Sequence, residues 1–501
     1  MRLLVALTAA LACFLVLGAG GALAQTEVLH SIGFTKACTS PTTIGDPYSC
    51  SYIIRNVLDE AGDTLTISGL SDTVHASSGD VTANILGSVQ ITTTSGATCI
   101  ASSGAGTAAN PYVGVTSCTL PFGSRVDVLS FSQYTVQAAD FGLPSHQLRD
   151  DAELTWHDLC GDPAGTGNTN CNPNPPDVFA ASLTLVQQLA SSTATTIHNA
   201  AHAAVTAVEV GSTVHDFVTV TGQPAKPVPT GSVTVDWFLN GTCAGTAAAS
   251  SSTLGPLDAS GRLDATGFAF TVNSAGQRGF IAHYLGDATY AASDGSCETL
   301  TVVDANIQLT PPTGTNPAGT DHVLTCHVNV NDSTGSVSAP AGTACTGSIQ
   351  NGPGSFVGSN QCTTVGTTGD CQLTITSSVT GTTTISASTD VVVGGLTLRR
   401  QTGDIHAGDS ANATKDWTPT TTTQLAALLT AVTGVGPGTS LADKVTQIQA
   451  YVAANDPSNA CKALNDFLNQ VKAQAGKKQI TSAQAASFTA QAQAVKTTLG
   501  C

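Results

Sequence analysis

Apolar and polar residues alternate along much of the first 420 residues, as they do in β-strands that have one buried face. The alternation is clear at residues 45–56, 217–220, 233–238 and 370–375. Turns rich in Gly, Asp, Asn and Pro separate these runs at a spacing that is typical of β-sandwiches. We therefore expect this part of the chain to be mainly β.

The pattern changes after Thr420, where apolar residues recur at helical spacing and predict four helices. Asp456 before Pro457 and the capping box from Thr481 to Gln484 mark two helix starts, and Gly476 suits the end of the third helix. The apolar positions of the four helices are Leu425, Leu428, Leu429 and Val432, then Val445, Ile448 and Val452, then Leu464, Phe467, Leu468 and Val471, then Phe488, Ala492, Val495 and Leu499.

These changes of pattern divide the chain into five segments. The expected fold class is mainly β, with three tandem β-sandwiches followed by a small α-helical bundle. The predicted segments are a signal peptide (1–24), a first sandwich unit (25–190), a second unit (191–303), a third unit (304–418) and a helical bundle (419–501).

The N-terminus has the features of a secretory signal peptide. Arg2 precedes an apolar run over residues 3–17, and Ala22-Leu23-Ala24 suits a cleavage site after Ala24. A lipoprotein signal at Cys13 is disfavoured because position 10, where such signals prefer Leu, is Ala, and because the apolar run continues past the cysteine. No later segment has the ~18 to 20 apolar residues of a membrane helix. We therefore expect a protein that is secreted or displayed at the cell surface.

Cysteines support export, because an even number remains after the signal peptide is removed and no C-x-x-C spacing occurs. Only the second unit and the helical bundle have a single possible pairing. Antiparallel third and fourth helices would bring Cys461 close to Cys501, and Gly500 lets the chain turn back. The seven expected disulfides are Cys38–Cys50, Cys99–Cys118, Cys160–Cys171, Cys243–Cys297, Cys326–Cys345, Cys362–Cys371 and Cys461–Cys501.

Charge argues against a nucleic acid partner. The formal net charge is −17, and the negative charge lies on the first 420 residues, whereas the C-terminal residues carry a small excess of Lys. A strongly acidic surface repels phosphates and anionic lipids. Solubility outside the cell accounts for this charge.

Two motifs in the second unit resemble a known type of module. Residues 283–293 read H-Y-L-G-D-A-T-Y-A-A-S, and residues 229–235 read P-T-G-S-V-T-V. They are similar to the Y-x-G-D-x-x-Y-x-x-S signature and the P-T-G-x-V-T-F opening of bacterial Ig-like repeat domains. The resemblance implies an Ig-like sandwich and identifies no ligand.

Other segments carry related resemblances. Residues 45–56 resemble the G-D-x-x-x-Y-x-x-x-x-x-N strand of repeat domains on bacterial surface proteins, and residues 316–325 and 370–375 resemble invasin-type Ig-like domains. Residues 464–478 resemble FIMAH-type helical domains. Together they imply a bacterial secreted protein of three dissimilar Ig-like domains with a C-terminal FIMAH-type helical domain.

Candidate enzyme sites do not meet the requirements of their chemistry. His198 and His202 have the spacing of a zinc protease helix, but Asn199 stands where the general-base Glu is needed, so we interpret them as histidines of a surface strand or loop. Asp150 and Asp151 are adjacent, point to opposite faces of a strand and are interpreted as solvated charge. The chain has no G-x-S-x-G motif, and Gly434 to Gly438 is interpreted as a connection between helices. No catalytic, cofactor-binding or metal-binding residue is predicted.

The sequence favours neither a sugar site nor a calcium site. Trp156, Trp237 and Trp417 fall one to each sandwich and are predicted to be core residues rather than sugar-stacking platforms, as are Tyr284 and Tyr290. The Asn-rich loop at 168–177 lacks the EF-hand spacing and is interrupted by prolines, which disfavours calcium.

The sequence therefore predicts a non-enzymatic, exported protein that acts in adhesion or interaction through tandem Ig-like domains. Its expected partner is an extracellular protein or glycan of unknown identity. The alternative is a carbohydrate-binding or substrate-targeting accessory protein, which would need exposed aromatic side chains in line on one face.

Overall fold

The computed structural model describes residues 27–29, 32–57, 64–158, 178–477 and 479–501, with only the backbone described at 27–29 and 158. The expected signal peptide, its cleavage site after Ala24 and the Cys160–Cys171 pair lie outside the described residues.

The first unit is a sandwich of two sheets. One sheet has the order β1-β2-β4-β10-β7, and the other has the order β3-β12-β11-β5-β9-β8 with β6 paired to β5. Two short 3-10 turns, Ala138–Gly142 and Pro144–His146, precede β11. The described strands of this unit are β1 (Glu27–Leu29), β2 (Ile32–Cys38), β3 (Thr42–Thr43), β4 (Pro47–Asn56), β5 (Thr64–Ala76), β6 (Gly79–Asn84), β7 (Ile91–Thr94), β8 (Thr98–Ile100), β9 (Ser117–Pro121), β10 (Arg125–Thr135), β11 (Gln147–Asp158) and β12 (Val178–Gln187).

Alternation of side chains builds the core of this unit. In β4, Tyr48, Cys50, Tyr52 and Ile54 are buried, while the residues between them are less buried. The period of two places these four side chains on one face, where they meet the inward face of the opposite sheet.

The second unit pairs β13-β15-β18, with β19 on β15, in one sheet and β17-β16-β20-β22, with β14 and β21 at its edges, in the other. Two predicted strands are shorter than expected, since residues 205–210 form a strand only at β14 and residues 268–272 only at β19. The strands are β13 (Ser192–Asn199), β14 (Ala207–Glu209), β15 (Thr213–Thr221), β16 (Val233–Phe238), β17 (Ala249–Ser250), β18 (Arg262–Asp264), β19 (Phe270–Thr271), β20 (Gly276–Tyr284), β21 (Ser293–Asp294) and β22 (Glu298–Thr310).

The third unit is also a two-sheet sandwich. Strand β22 continues into its first sheet, β22-β24-β29-β27 with β25 on β24, and the second sheet has the order β23-β32-β30-β26-β28 with β31 on β30. Its strands are β23 (Thr313–Pro317), β24 (Asp321–Asn331), β25 (Ser336–Ser338), β26 (Ala344–Asn351), β27 (Ser355–Phe356), β28 (Gln361–Thr363), β29 (Asp370–Thr376), β30 (Gly381–Val393), β31 (Leu396–Gln401) and β32 (Ala413–Thr418).

The shared strand β22 joins the second and third units. Its first half pairs with β20 and its second half with β24. The boundary that the sequence analysis placed after residue 303 therefore falls inside a continuous strand.

Four helices follow: α1 (Thr421–Val432), α2 (Ser440–Ala453), α3 (Pro457–Gln474) and α4 (Ser482–Leu499). Thr481 and Gln484 form the capping box that starts α4, and the side chain of Asp456 accepts a hydrogen bond from the Asn459 amide at the start of α3. The apolar faces of all four helices meet in one core around Phe467 and Phe488. The predicted fold class, mainly β with a C-terminal helical bundle, is confirmed.

Candidate functional site

Six disulfides are present among the described residues: Cys38–Cys50, Cys99–Cys118, Cys243–Cys297, Cys326–Cys345, Cys362–Cys371 and Cys461–Cys501. In the third unit both disulfides join one sheet to the other, because Cys326 and Cys371 lie on the sheet that contains β22 and their partners lie on the facing sheet. These pairs are the same as the corresponding expected pairs. The two disulfides of the third unit tie together its facing sheets, whereas Cys38–Cys50 and Cys99–Cys118 each join neighbouring strands of one sheet.

The three tryptophans lie in the sandwich cores. Trp156, Trp237 and Trp417 are 4%, 4% and 2% exposed, so none offers a flat surface to a sugar ring. Tyr284 and Tyr290 are also buried, and the Tyr290 hydroxyl donates to the Pro227 carbonyl at 2.6 Å. These residues stabilise the sandwiches, as predicted.

The Asp150–Asp151 pair corrects one interpretation from the sequence. The two carboxylates do point to opposite faces of β11, and Asp151 lies near the surface, where it pairs with Arg149 and His75. Asp150, however, is fully buried and is not solvated. Inside the core its carboxyl group contacts the side chain of Lys36, which no sequence motif indicated.

Lys36, Asp72 and Asp150 form a charged cluster in the core of the first unit. The Lys36 Nζ lies 2.5 Å from Asp72 Oδ1 and 2.6 Å from Asp150 Oδ2. All three side chains are at most 3% exposed. Lys36 extends from β2 in one sheet, whereas Asp72 on β5 and Asp150 on β11 belong to the facing sheet, so the cluster bridges the sandwich.

The surroundings of the two carboxyl groups differ. Gln133 Nε2 donates to Asp72 Oδ2 at 2.9 Å and to the Asp72 carbonyl at 3.1 Å, which fixes that carboxylate. Asp150 Oδ1 is buried without a hydrogen-bond partner. Burial raises the pKa of Asp150 well above its usual range, although the nearby ammonium of Lys36 opposes that effect.

A second cluster lies on the smaller sheet of the second unit. His198 on β13 and His215 on β15 are direct cross-strand neighbours, and Asp264 ends the adjacent strand β18. His202 follows β13 in a turn and has a left-handed backbone with φ of 58°. These four residues meet because they lie at the same end of three neighbouring strands or in the turn that follows.

Asp264 is at the centre of this second cluster. Its Oδ2 lies 2.6 Å from His202 Nδ1, and its Oδ1 lies 2.7 Å from His215 Nε2. The latter contact is close, but it does not have hydrogen-bond alignment, and both atoms are buried without a hydrogen-bond partner. Ligand atoms of His198, His215 and Asp264 lie within 4.8 Å of one another. Imidazole nitrogens and a carboxylate oxygen are the donor set that proteins use for transition metals.

The glycine-rich segment, the Asn-rich loop and the helices are the remaining features that the sequence singled out. Residues 434–438 connect α1 to α2, as predicted. The Asn-rich loop at 168–177 lies outside the described residues. Among the helices that the structure describes, none has the length and apolar character needed to cross a membrane.

Comparison with known proteins identifies the C-terminal part of the chain. Residues 427–497 match the family model of the FIMAH domain, which confirms the resemblance found at residues 464–478. No curated protein matches the sequence.

Among solved structures, the D00-D0 domain of intimin is 12% identical, with 41% of this chain and 96% of that chain covered and a TM-score of 0.22. A Salmonella alpha-2-macroglobulin is 8% identical over 93% of this chain and 38% of that chain, with a TM-score of 0.23. Invasin, a bacterial integrin-binding protein, is 11% identical over 77% of this chain and 60% of that chain, with a TM-score of 0.24. This chain thus spans less than two fifths of the alpha-2-macroglobulin, and similarities at these scores carry no argument about function.

Proposed function

We propose that the chain is a non-enzymatic, exported protein that acts as an adhesion or interaction scaffold at the cell surface or in the medium. The observation that carries this proposal is strand β22, which runs without a linker from the second sandwich into the third. A shared strand resists bending between two modules, because bending would break its backbone hydrogen bonds to both β20 and β24. Such a joint suits a scaffold that holds an interaction surface on one domain at a fixed distance from the other domains.

Polar contacts around the same joint support this proposal. Arg400 is 5% exposed, donates from Nε to the Ala305 carbonyl at 2.7 Å and lies 3.1 Å from Asp304. Gln277 of the second unit donates to the Ser333 hydroxyl of the third at 2.8 Å. The Gln277–Ser333 bond crosses the joint and restrains the rotation of one sandwich against the other, while the Arg400 contacts hold the third unit's half of β22 in place.

The connection between the first and second units also has direct contacts. Lys226 Nζ lies 3.0 Å from Asp46 Oδ1, and Gln188 Nε2 donates to the Asp287 carbonyl at 2.6 Å. Leu189, two residues after the last strand of the first unit, packs into the core of the second. The connection is therefore short and partly buried.

Disulfides support a location outside the cytoplasm, where thiols are not kept reduced. The tryptophans give no support to the alternative function in carbohydrate binding, because all three are buried. We therefore favour the scaffold.

The test has two parts. Cells that produce the chain are fractionated into cytoplasm, periplasm, envelope and medium, and we expect the oxidised chain outside the cytoplasm. Purified full-length chain is then measured for binding to immobilised extracellular matrix proteins and glycans, and for turnover of peptide, ester and glycan substrates. Binding without turnover supports the proposal. A reduced cytoplasmic chain, or turnover lost on substitution of one carboxylate, overturns it.

A further inference from the structure

The buried cluster of Lys36, Asp72 and Asp150 has more negative than positive charge in a region that excludes water. One ammonium faces two carboxyl groups, and Asp150 is 0% exposed. Keeping both carboxylates ionised beside a single ammonium is unfavourable in a core of low polarity, so one carboxyl group holds a proton. The Asp72 carboxylate accepts hydrogen bonds from Lys36 and Gln133, whereas Asp150 Oδ1 has no partner, which assigns the proton to Asp150. Burial raises the pKa of Asp150, which acts in the same direction.

An amine and a carboxylic acid held in contact inside a dry core are the reactants of an amide. A proton moving from the ammonium to Asp72 gives the neutral amine that attacks a carbonyl carbon. Holding two groups in reactive geometry is equivalent to an effective concentration of about 10⁵ to 10⁸ M. The core also excludes the water that would reverse the reaction.

We propose that Lys36 and Asp150 form an intramolecular amide cross-link. The Lys36 Nζ bonds to the Asp150 side-chain carbon, one carbon–oxygen bond of Asp150 breaks, and the oxygen leaves as water. Asp72 takes the first proton from the Lys36 ammonium and passes it to the departing oxygen. It then takes the proton that the attacking nitrogen loses, so Asp72 is protonated in the product. Atoms and electrons balance without an oxidant or a cofactor.

The geometry assigns the two carboxyl groups to different roles. Asp150 Oδ1 has no hydrogen-bond partner, so its departure breaks no protein contact. Asp72 is held by Gln133 and by Lys36, which suits a group that only transfers protons. The cross-link joins β2 to β11 and so ties the two sheets of the first unit covalently.

The test uses mass spectrometry of the full-length chain after reduction and alkylation of its disulfides. Digestion with trypsin is expected to leave the Lys36–Ala37 bond uncut, because trypsin requires a free lysine side chain. We expect one branched peptide that contains Lys36 and Asp150, lighter by one water than the sum of its two parts. Linear peptides cut after Lys36, or a branch to Asp72, overturn the proposal.

Variants give a second readout that does not depend on where the N-terminus is processed. The parent chain is expected to weigh one water less than its sequence predicts. Lys36→Met, Asp150→Ala and Asp72→Asn are each expected to have the full mass that their own sequences predict. The matched control is Lys415→Met, since Lys415 is also fully buried but contacts Asn316 instead of a carboxyl group. A water deficit that persists in Lys36→Met overturns the assignment even if another variant fails to fold.

The histidine cluster of the second unit carries an independent inference. His215 is 3% exposed, and its Nε2 faces Asp264 Oδ1 without forming a hydrogen bond. The His198 Nδ1 is likewise buried without a partner. Two imidazole nitrogens and one carboxylate oxygen are therefore buried close together without hydrogen bonds. Leaving such atoms unpaired costs free energy of folding, unless another atom binds them.

We infer that His198, His215 and Asp264 bind a divalent transition-metal ion, with Zn²⁺ as the representative probe. The ligands come from three neighbouring strands, β13, β15 and β18, so the ion would join them. His202 contacts the other oxygen of Asp264 and orients that carboxylate. The role is structural, because this site contains no second carboxylate to act as a base on a metal-bound water.

Zinc binding is measured with full-length chain purified through a tag that contains no histidine and stripped with a chelator. Titration with Zn²⁺ alone is expected to give one saturable site and a higher Tm. Both effects are expected to disappear in His215→Ala and in Asp264→Asn.

The control is His283→Ala, which removes a partly exposed histidine–aspartate pair from the same unit. Binding that survives both cluster variants, or that His283→Ala removes, overturns the inference. A stripped chain that binds no zinc overturns it as well.

Discussion

Val302 and Val303 are adjacent on β22 and fully buried, yet their side chains enter different hydrophobic cores. Val302 packs in the second unit and Val303 in the third. Successive residues of a strand point to opposite faces, so a single peptide step is enough to change cores. The two sandwiches therefore meet within one continuous strand.

A flexible glycine insertion between Val303 and Asp304 is expected to uncouple the two sandwiches while leaving each of them folded. The insertion separates the half of β22 that pairs with β20 from the half that pairs with β24. Spin labels on exposed positions of the two units report the distance between them by electron paramagnetic resonance. We expect a narrow distribution in the parent chain and a broad one in the variant. The same insertion in the exposed turn at Gly366 serves as control, and equal widths in all three chains would contradict the rigid joint.

Residues 421–501 are expected to fold in isolation as a helical bundle. Caps, the apolar core and the Cys461–Cys501 disulfide are all contained within this segment. Far-UV circular dichroism of the oxidised segment is expected to be helical. A disordered spectrum under oxidising conditions would contradict the boundary at Thr420.

Removing the Cys461–Cys501 disulfide from the full chain is expected to lower the free energy of unfolding of the bundle by about 3 to 4 kcal/mol, because it closes a long loop. The double variant Cys461→Ser and Cys501→Ser removes the disulfide without leaving a free thiol. Urea unfolding followed by circular dichroism at the helical band measures the change. A loss well below 1 kcal/mol would mean that the unlinked segment is already restricted in the unfolded state.

The sequence predicted the structural features that are determined by residues close together in the chain. The capping box at Thr481, the cap at Asp456 and the alternation in β4 are local patterns, and the structure contains all three. The Lys36 cluster was not predicted because its partners lie 36 and 114 positions away in sequence and only the topology of the first unit brings them together. Asp150 was misinterpreted for the same reason, since the charge that permits its burial comes from another sheet.

The histidine cluster illustrates the same limit. The spacing of His198 and His202 matches a helical metal-binding motif, whereas His198 lies on a strand and pairs with His215 across the sheet. Strand register is set by contacts between distant segments, so it cannot be derived from one spacing.

The mature chain is expected to have seven disulfides and no free thiol. Six pairs are present among the described residues, and Cys160 with Cys171 is the remaining predicted pair. Alkylation of the unreduced, denatured chain is expected to add no label, and alkylation after reduction is expected to label every mature cysteine. Label on Cys160 or Cys171 before reduction would disprove the seventh disulfide.

Asp216 on β15 is a buried acid without a counter-charge. It is 0% exposed, and neither of its carboxylate oxygens has a hydrogen-bond partner. Burial raises its pKa to about 8 from an ordinary value of 3.8, and the nearby Glu298 contributes in the same direction. Between these two pH values the folded chain keeps a proton that the unfolded chain has released.

The second unit is therefore expected to lose stability as the pH rises from about 4 to about 8, with a maximum slope of about 1.4 kcal/mol per pH unit. The sign follows from proton binding: the folded state binds more protons in this range, so a lower proton concentration favours the unfolded state. Asparagine in place of Asp216 has a similar shape and cannot ionise, so the slope is expected to become much smaller in Asp216→Asn.

Urea unfolding is followed by the fluorescence of Trp237 in a Trp156→Phe, Trp417→Phe background, so that the signal reports the second unit. Asp258→Asn, an exposed change in the same unit, is the control and should keep the slope. An unchanged slope in Asp216→Asn would assign the pH dependence to other groups.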